Sequence, residues 1–263
     1  MKLKYLATAA AAMIAASPAF AALNGPDDGN AELFLTVWQQ AGVNGGTLNS
    51  SYTLDLGVSL LDMIANKGVN NYINTLLGSD SLFNTFIGSV NTTTFGALQF
   101  NVTAATRGGL NTPTDVMLGT VAGANLGSLT NVQLSIALDQ VLVFVGGVNS
   151  VGNHSTVPNG SSVSTSGDAY FMANQSNNWN GSSPLNSKAA GTNAVFGSYT
   201  QNGFGGGQVT KSVFDGTFFF GQTAPNVYAL QYQVAAVPEP TGYALALAGL
   251  GLIGFVGSRR SKS

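Results

Sequence analysis

Residues 32–40 read ELFLTVWQQ and residues 49–57 read NSSYTLDLG, and these two stretches decide the fold. The first is rich in β-branched and aromatic residues. In the second, Tyr52, Leu54 and Leu56 alternate with Thr53 and Asp55. A period of two indicates a β-strand with one buried face. We therefore predict a strand over each stretch.

The same pattern recurs along the chain. Further strands are predicted over residues 95–106, 115–121, 212–221 and 226–234, and the Gly- and Asn-rich segments between them suit turns. Short helices are predicted over residues 60–66 and 81–90, the second with Ser79, Asp80 or Ser81 as its N-cap.

Two longer segments carry weaker patterns. Residues 128–145 fit either a long strand or a helix packed on a sheet, and residues 149–207, the stretch of lowest complexity, suggest a long packed loop. The fold class that we expect is mainly β. It is a single β-rich extracellular domain over residues 22–236, a β-sandwich with a few short helices.

The composition excludes several classes of protein. Only 8% of the 263 residues are charged, against about 25% in an ordinary soluble domain. The formal net charge of −2 leaves no basic surplus for neutralising phosphates, so we expect no nucleic-acid partner. The chain has no Cys, which excludes disulfides and thiolate metal sites.

The N-terminus has the pattern of a secretory signal peptide. Lys2 and Lys4 precede an apolar run over residues 6–16, and Ala19 and Ala21 supply small residues before a cleavage site. We predict cleavage between Ala21 and Ala22, which makes residues 1–21 the signal peptide. The apolar run is too short to span a membrane, because a bilayer core of about 30 Å needs about 20 helical residues.

The C-terminus combines three features. Residues 237–240 are Val237, Pro238, Glu239 and Pro240, and residues 241–257 contain no charge. Residues 258–263 form a basic tail that includes Arg259 and Arg260. The uncharged run predicts a short transmembrane helix, and the basic cluster is expected to stay in the cytoplasm. The precursor is then anchored in the inner membrane with its body outside.

This arrangement of motif, helix and terminal basic cluster over residues 237–263 resembles the sorting signal of PEP-CTERM proteins. The resemblance implies recognition by exosortase, a membrane enzyme of bacteria that make exopolysaccharide and biofilm. It also implies processing near Pro238–Pro240, transient residence in the inner membrane, and delivery of the body to the cell surface or extracellular matrix. Bodies attached to this signal vary widely, so the resemblance does not define what this one does.

The body offers few candidates for chemistry. His154 lies in a loop of small polar residues, and we interpret it as a solvated loop histidine. Asp27, Asp28, Asn30 and Glu32 cluster the oxygen ligands that calcium takes, but the same residues suit a plain turn. Trp179, with Tyr170 nearby, is a candidate glycan contact, because exposed aromatic rings stack on sugars, whereas Trp38 is expected in the core.

These observations favour an exported, non-enzymatic protein of the cell surface or matrix, with no cofactor. Two alternatives of other classes stay open. One is a carbohydrate-binding module for exopolysaccharide, suggested by Trp179 and the amide-rich loops. The other is an extracellular hydrolase, which rests on scattered carboxylates: Asp55, Asp62, Asp80, Asp115, Asp139, Asp168 and Asp215.

Overall fold

The computed structural model describes residues 22–29, 31–90, 97–108, 114–121, 123, 126–174, 179, 187–203 and 205–235. The predicted signal peptide (residues 1–21) and sorting signal (residues 237–263) lie outside the described residues. The strands are β1 Glu32–Gln39, β2 Ser50–Ser59, β3 Asn74–Leu76, β4 Gln99–Thr106, β5 Val116–Val121, β6 Ser161–Ser164, β7 Lys188–Ala189, β8 Asn193–Thr200, β9 Thr210–Ala224 and β10 Val227–Val234. The helices are α1 Leu60–Ala65, α2 Ser81–Ser89, α3 Asn131–Asn149 and α4 Phe171–Asn174.

All of these strands belong to one antiparallel sheet. Its order is β3-β10-β9-β8-β5-β4-β1-β2-β6, and β7 pairs with β4. The sheet curls, so that part of its own surface faces inward. The predicted mainly β class with a few short helices is confirmed. The strands form one continuous curled sheet, where a sandwich would have two separate sheets.

Strand β1 is buried on both faces, which explains its nearly continuous apolar sequence. Leu33, Leu35 and Val37 point into one core, and Phe34 and Trp38 point into a second core on the opposite face. A half-exposed strand would alternate apolar and polar residues, whereas a strand covered on both faces reads as an apolar run.

The first core lies inside the curl and is rich in aromatic rings. Phe196 and Phe218 pack edge to face with their centroids 4.8 Å apart, and Phe218 lies 5.0 Å from Tyr232. Helices α1 and α2 pack on this core through Leu60, Met63, Phe83 and Phe86.

The second core lies between the sheet and helix α3. The ambiguous segment 128–145 is this helix, and it begins at a capping box made by Thr130 and Gln133. Leu134 and Leu138, four residues apart, face the core, whereas Val132 and Ile136 are exposed, so the apparent alternation divides between two faces of a helix. Within the described part of the chain, α3 is the one helix long and apolar enough to cross a membrane. Its inner face is already occupied by this core.

The region interpreted as a long loop contains strands β6, β7 and β8. Strand β8 lies between β5 and β9, well inside the sheet. Its pattern is obscured by Gly197, where a Cβ atom would lie 2.6 Å from the carbonyl oxygen of Ser212 and 2.8 Å from a Leu126 methyl group. Strand β9 and Leu126 approach so closely that this position requires glycine, and glycine weakens the strand pattern in the sequence.

Candidate functional site

A cavity of about 370 Å³ opens beside strand β2. Its walls come from the end of β2, from β3 and the turn after it, from the start of α2, and from the loop that precedes β6. The lining residues are Leu54, Asp55, Leu56, Thr75, Leu76, Leu77, Ser79, Asp80, Ser81, Asn153, Val157, Asn159, Gly160 and Ser161. Below, "the β2 pocket" means this cavity.

Asp80 is held rigidly at the wall of the β2 pocket. Its Oδ1 accepts hydrogen bonds from the backbone N–H groups of Leu82 and Phe83, at 2.8 and 3.3 Å, and so caps helix α2. Its Oδ2 accepts a hydrogen bond from the hydroxyl of Tyr52 at 2.8 Å. Burial, followed by the neighbouring charge of Asp80, raises the pKa of Tyr52 far above its ordinary value.

Asp55 is the more unusual carboxylate of the β2 pocket. It is 4% exposed, and its Oδ1 accepts a hydrogen bond from the backbone N–H of Gly57 at 2.8 Å. No other hydrogen bond reaches its side chain from the described residues. Burial raises the pKa of Asp55 to about 6, and the charge of Glu32 adds to this rise while the bond from Gly57 opposes it.

The loop before β6 is fixed against the end of β2. Asn153 pairs with Ser161 twice: its side chain accepts from the Ser161 N–H at 2.6 Å, and its own N–H donates to the Ser161 carbonyl at 3.0 Å. Gly57 has a φ of +62°, and a side chain there would collide with Asn159. The rim of the pocket is therefore preformed on the folded sheet.

His154 lies behind this loop and is buried, so the interpretation as a solvated histidine is wrong. It is 1% exposed, because the backbone of Gly160 and strand β6 pack directly over it. Its Nε2 lies 3.2 Å from Ser162 Oγ, and its Nδ1 has no hydrogen-bond partner among the residues that the structure describes. Burial lowers the pKa of His154 to about 4. Ser162 is also buried, at 2% exposed, so a substrate has no access to this pair.

Trp179 and Tyr170 are core residues, which corrects the predicted glycan contact. Trp179 is 1% exposed, and its ring packs edge to face on Phe171, with the centroids 5.3 Å apart, and on Phe144 at 5.9 Å. Tyr170 is 6% exposed, and its hydroxyl donates to the Gln39 carbonyl at 3.3 Å. Stacking on a sugar needs an open ring face, which neither residue offers. Trp38 is buried as expected and donates to Ser187 Oγ at 2.8 Å.

The acidic residues of the predicted calcium alternative have separate partners. Asp28 accepts from the N–H of Gly25 at 2.6 Å, and Glu32 accepts from the N–H of Asn24 at 3.0 Å. Asp27 pairs with Arg107 Nε at 2.8 Å. Asn30 lies outside the described residues. Within the described ranges, no group of three or more His, Cys, Asp or Glu residues could hold a metal ion.

The sequence pattern missed the β2 pocket for an identifiable reason. Alternation around Tyr52 and Leu54 placed Asp55 on the polar face of β2, where solvent was expected. The loop before β6 lies against this end of β2: the backbone N–H of Asp55 donates to the Gly160 carbonyl at 3.0 Å, and Asn159 packs on Gly57. The one local signal was the glycine two residues after Asp55, because an Asp side chain commonly accepts from the N–H two residues on.

The described β-rich body ends at residue 235, and a sorting motif follows it directly in the sequence. Residues 236–260 match the family model of the PEP-CTERM protein-sorting motif. The chain is therefore a PEP-CTERM domain-containing protein, as the sequence resemblance predicted. The motif marks the protein for export as a membrane-anchored precursor and for sorting by exosortase. No curated protein and no solved structure is significantly similar to the chain.

Proposed function

We propose that the body of this exosortase-sorted protein is a non-enzymatic component of the cell surface or of the exopolysaccharide matrix of a biofilm. The observation that carries the proposal is the position of the sorting motif. The last strand, β10, ends at Val234, and the motif begins at residue 236. Removal of the signal would therefore leave every described element of the sheet in place.

The composition of the body supports an extracellular role. Residues 22–236 hold ten acidic and four basic residues, and their polar surface is built mainly from Ser, Thr, Asn and Gly. An excess of acidic over basic groups keeps the body soluble and limits nonspecific binding to polyanions.

The buried polar groups support a role without catalysis. A nucleophile and its base must reach the substrate. His154 and Ser162 lie within hydrogen-bond distance of each other but are closed off from solvent. Asp80 already uses both carboxylate oxygens, one in the cap of α2 and one with Tyr52. Of the two carboxylates that line the β2 pocket, Asp55 is then the candidate for the hydrolase alternative.

Cell fractionation tests the sorting and the location together. A Glu239→Gln variant and a deletion of residues 241–263 are expressed in the producing bacterium and compared with the wild type by size and by fraction. We expect both changes to abolish processing and matrix delivery, whereas Asp215→Asn, an exposed acid on β9, leaves them unchanged. Wild-type protein that is processed yet absent from the surface and matrix would contradict the proposed location.

An activity assay tests the non-enzymatic part. The matrix polysaccharide of the same bacterium is incubated with the protein, and newly formed reducing ends are measured. We expect none above background. Release that is lost in Asp55→Asn, with the fold retained, would show a hydrolase instead.

A further inference from the structure

We propose that the β2 pocket binds a neutral sugar unit and is the point at which the body holds a polysaccharide. This inference rests on the proposed function only for the source of the sugar, a matrix polymer. The pocket itself follows from the described residues. Its volume of about 370 Å³ lies in the range of small-molecule sites.

The first argument comes from the incomplete hydrogen bonding of Asp55. Buried polar groups in folded proteins nearly always have partners, and an ionised carboxylate can accept about four hydrogen bonds. Asp55 is only 4% exposed and lines the pocket. Its side chain accepts one hydrogen bond within the described structure. An ionised carboxylate can only accept hydrogen bonds. A ligand that fills the remaining acceptor positions of Asp55 must therefore carry a donor, such as a hydroxyl group.

The second argument comes from what else lines the pocket. Aliphatic side chains, Leu54 and Leu77 among them, lie beside the hydroxyls of Thr75 and Ser79 and the amides of Asn153 and Asn159. A sugar ring has both kinds of surface, since its C–H groups are apolar and its hydroxyls both donate and accept. A simple cation would not use the aliphatic wall.

The third argument concerns charge. Two carboxylates and no Lys, Arg or His are found among the described residues that line the pocket. An anionic ligand such as a uronic acid would be repelled in this partly desolvated space. The neighbouring Asp80 is held by its cap and by Tyr52, so the site is preorganised and little entropy is lost in ordering it.

Titration of the full chain with defined sugars tests the inference. The protein is purified in a detergent that has no sugar headgroup, and binding of glucose, galactose, mannose and N-acetylglucosamine is followed by saturation-transfer NMR. We expect at least one of these four neutral sugars to bind. We expect glucuronate not to bind, or to bind with far lower affinity. Glucosamine, whose amino group is cationic, tests whether the pocket binds a cationic sugar instead.

Matched variants assign the binding to the pocket. Asp55→Asn keeps the shape but loses the charged acceptor, and we expect binding to weaken about tenfold or more. Asn159→Gly removes an amide at the rim, and glycine accepts the φ of 52° at this position, so this variant preserves the fold if Asp55→Asn does not. Asp215→Asn is the control and should bind like the wild type.

Three results would overturn the inference: no binding of any of the four neutral sugars to folded protein, binding of glucosamine alone, or unchanged affinity in both pocket variants. The proposed function is judged separately by fractionation. A protein that reaches the matrix but binds no sugar fails only the inference. A protein that binds sugar but never reaches the surface or matrix fails only the proposed function.

Discussion

The hydroxyl of Tyr52 donates a hydrogen bond to Oδ2 of Asp80 at 2.8 Å, and the other oxygen of Asp80 caps helix α2. The two residues are 28 positions apart in the sequence. Their contact joins the first half of strand β2 to the N-cap of the helix that packs on the first core. One carboxylate therefore fixes both a secondary-structure boundary and a wall of the β2 pocket.

Removal of the Tyr52 hydroxyl should destabilise the fold. Tyr52→Phe keeps the ring against Phe83, whose centroid lies 5.1 Å away, but leaves a partly buried carboxylate with one donor fewer. We expect the free energy of unfolding to fall by about 1.5–3 kcal/mol, as for other hydrogen bonds to charged groups. Urea denaturation measures this change.

A double-mutant cycle with Asp80→Ala gives the control. Asp80→Ala alone removes the helix cap as well, so it should cost more than Tyr52→Phe. The double variant should cost less than the sum of the two single changes, because both remove the same bond. Strict additivity would contradict the coupling.

Ionisation of Asp55 should oppose folding at neutral pH. Burial raises its pKa from 3.8 to about 6, so the folded state holds the proton more tightly than the unfolded state. The stability that this group contributes is fully present below pH 4 and is lost as the pH rises through 6. Asp55→Asn should therefore gain up to roughly 3 kcal/mol over the wild type at pH 7 and little at pH 4. Urea denaturation between pH 4 and 7 measures the difference, and a difference independent of pH would contradict the assignment.

His154 should give the opposite trend over the same range. Burial lowers its pKa from 6.5 to about 4, so the unfolded state takes up the proton first as the pH falls. The wild type should lose up to roughly 3 kcal/mol between pH 7 and pH 4 relative to His154→Gln, which cannot titrate. The comparison uses the trend with pH rather than the absolute stability, because the substitution also changes packing. The facing groups, Asp80 and Ser162, are unchanged in both proteins. Parallel pH profiles would show that His154 is not buried neutral.

Burial of Trp179 predicts a spectroscopic result. The chain has two tryptophans, so Trp38→Phe leaves Trp179 as the sole indole. Its emission should be blue-shifted and poorly quenched by acrylamide, since the ring is 1% exposed. Trp179→Ala should cost about 3–5 kcal/mol, as for other buried aromatic truncations, and Trp179→Phe much less. Strong quenching of the single-tryptophan protein would show that the Trp179 ring is exposed, and it would support the predicted glycan contact at this residue.

Local pattern identified the elements whose signal is local. Strands β1, β2, β4, β5, β9 and β10 and the two short helices follow from periodicity, and the N-cap of α2, Asp80, is one of the three candidates that capping chemistry offered. Helix α3 stayed ambiguous because alternating Val132, Leu134, Ile136 and Leu138 also fit a strand. Its capping box, Thr130 with Gln133, was the local signal that distinguishes the two.

The environment of the site could not be predicted, because it depends on contacts between distant parts of the chain. The sequence pattern predicts a solvated His154 and places Asp55 on the polar face of a half-buried strand, yet both are buried in the folded chain. Trp179 lies among asparagines in the sequence, yet it meets Phe34 and Phe144 from remote elements. Only the tertiary structure distinguishes a polar loop whose aromatic residue is buried in the core from a polar loop that faces solvent throughout.

The short distance between the fold and the sorting signal should limit processing. Val234 is held by its N–H bond to the Asn70 side chain at 3.0 Å, and Tyr232 in the same strand donates to the Lys67 carbonyl at 2.6 Å. Pro238 lies four positions after Val234, and at about 3.5 Å per position the chain between them spans roughly 14 Å at most. A membrane enzyme that cuts near Pro238 must therefore work directly against the folded body. Ten Gly and Ser residues inserted after Ala235 should speed processing in a pulse-chase experiment, whereas the same insertion after Gly203, in the turn between β8 and β9, should not. Equal rates in all three proteins would show that the folded body does not hinder the enzyme.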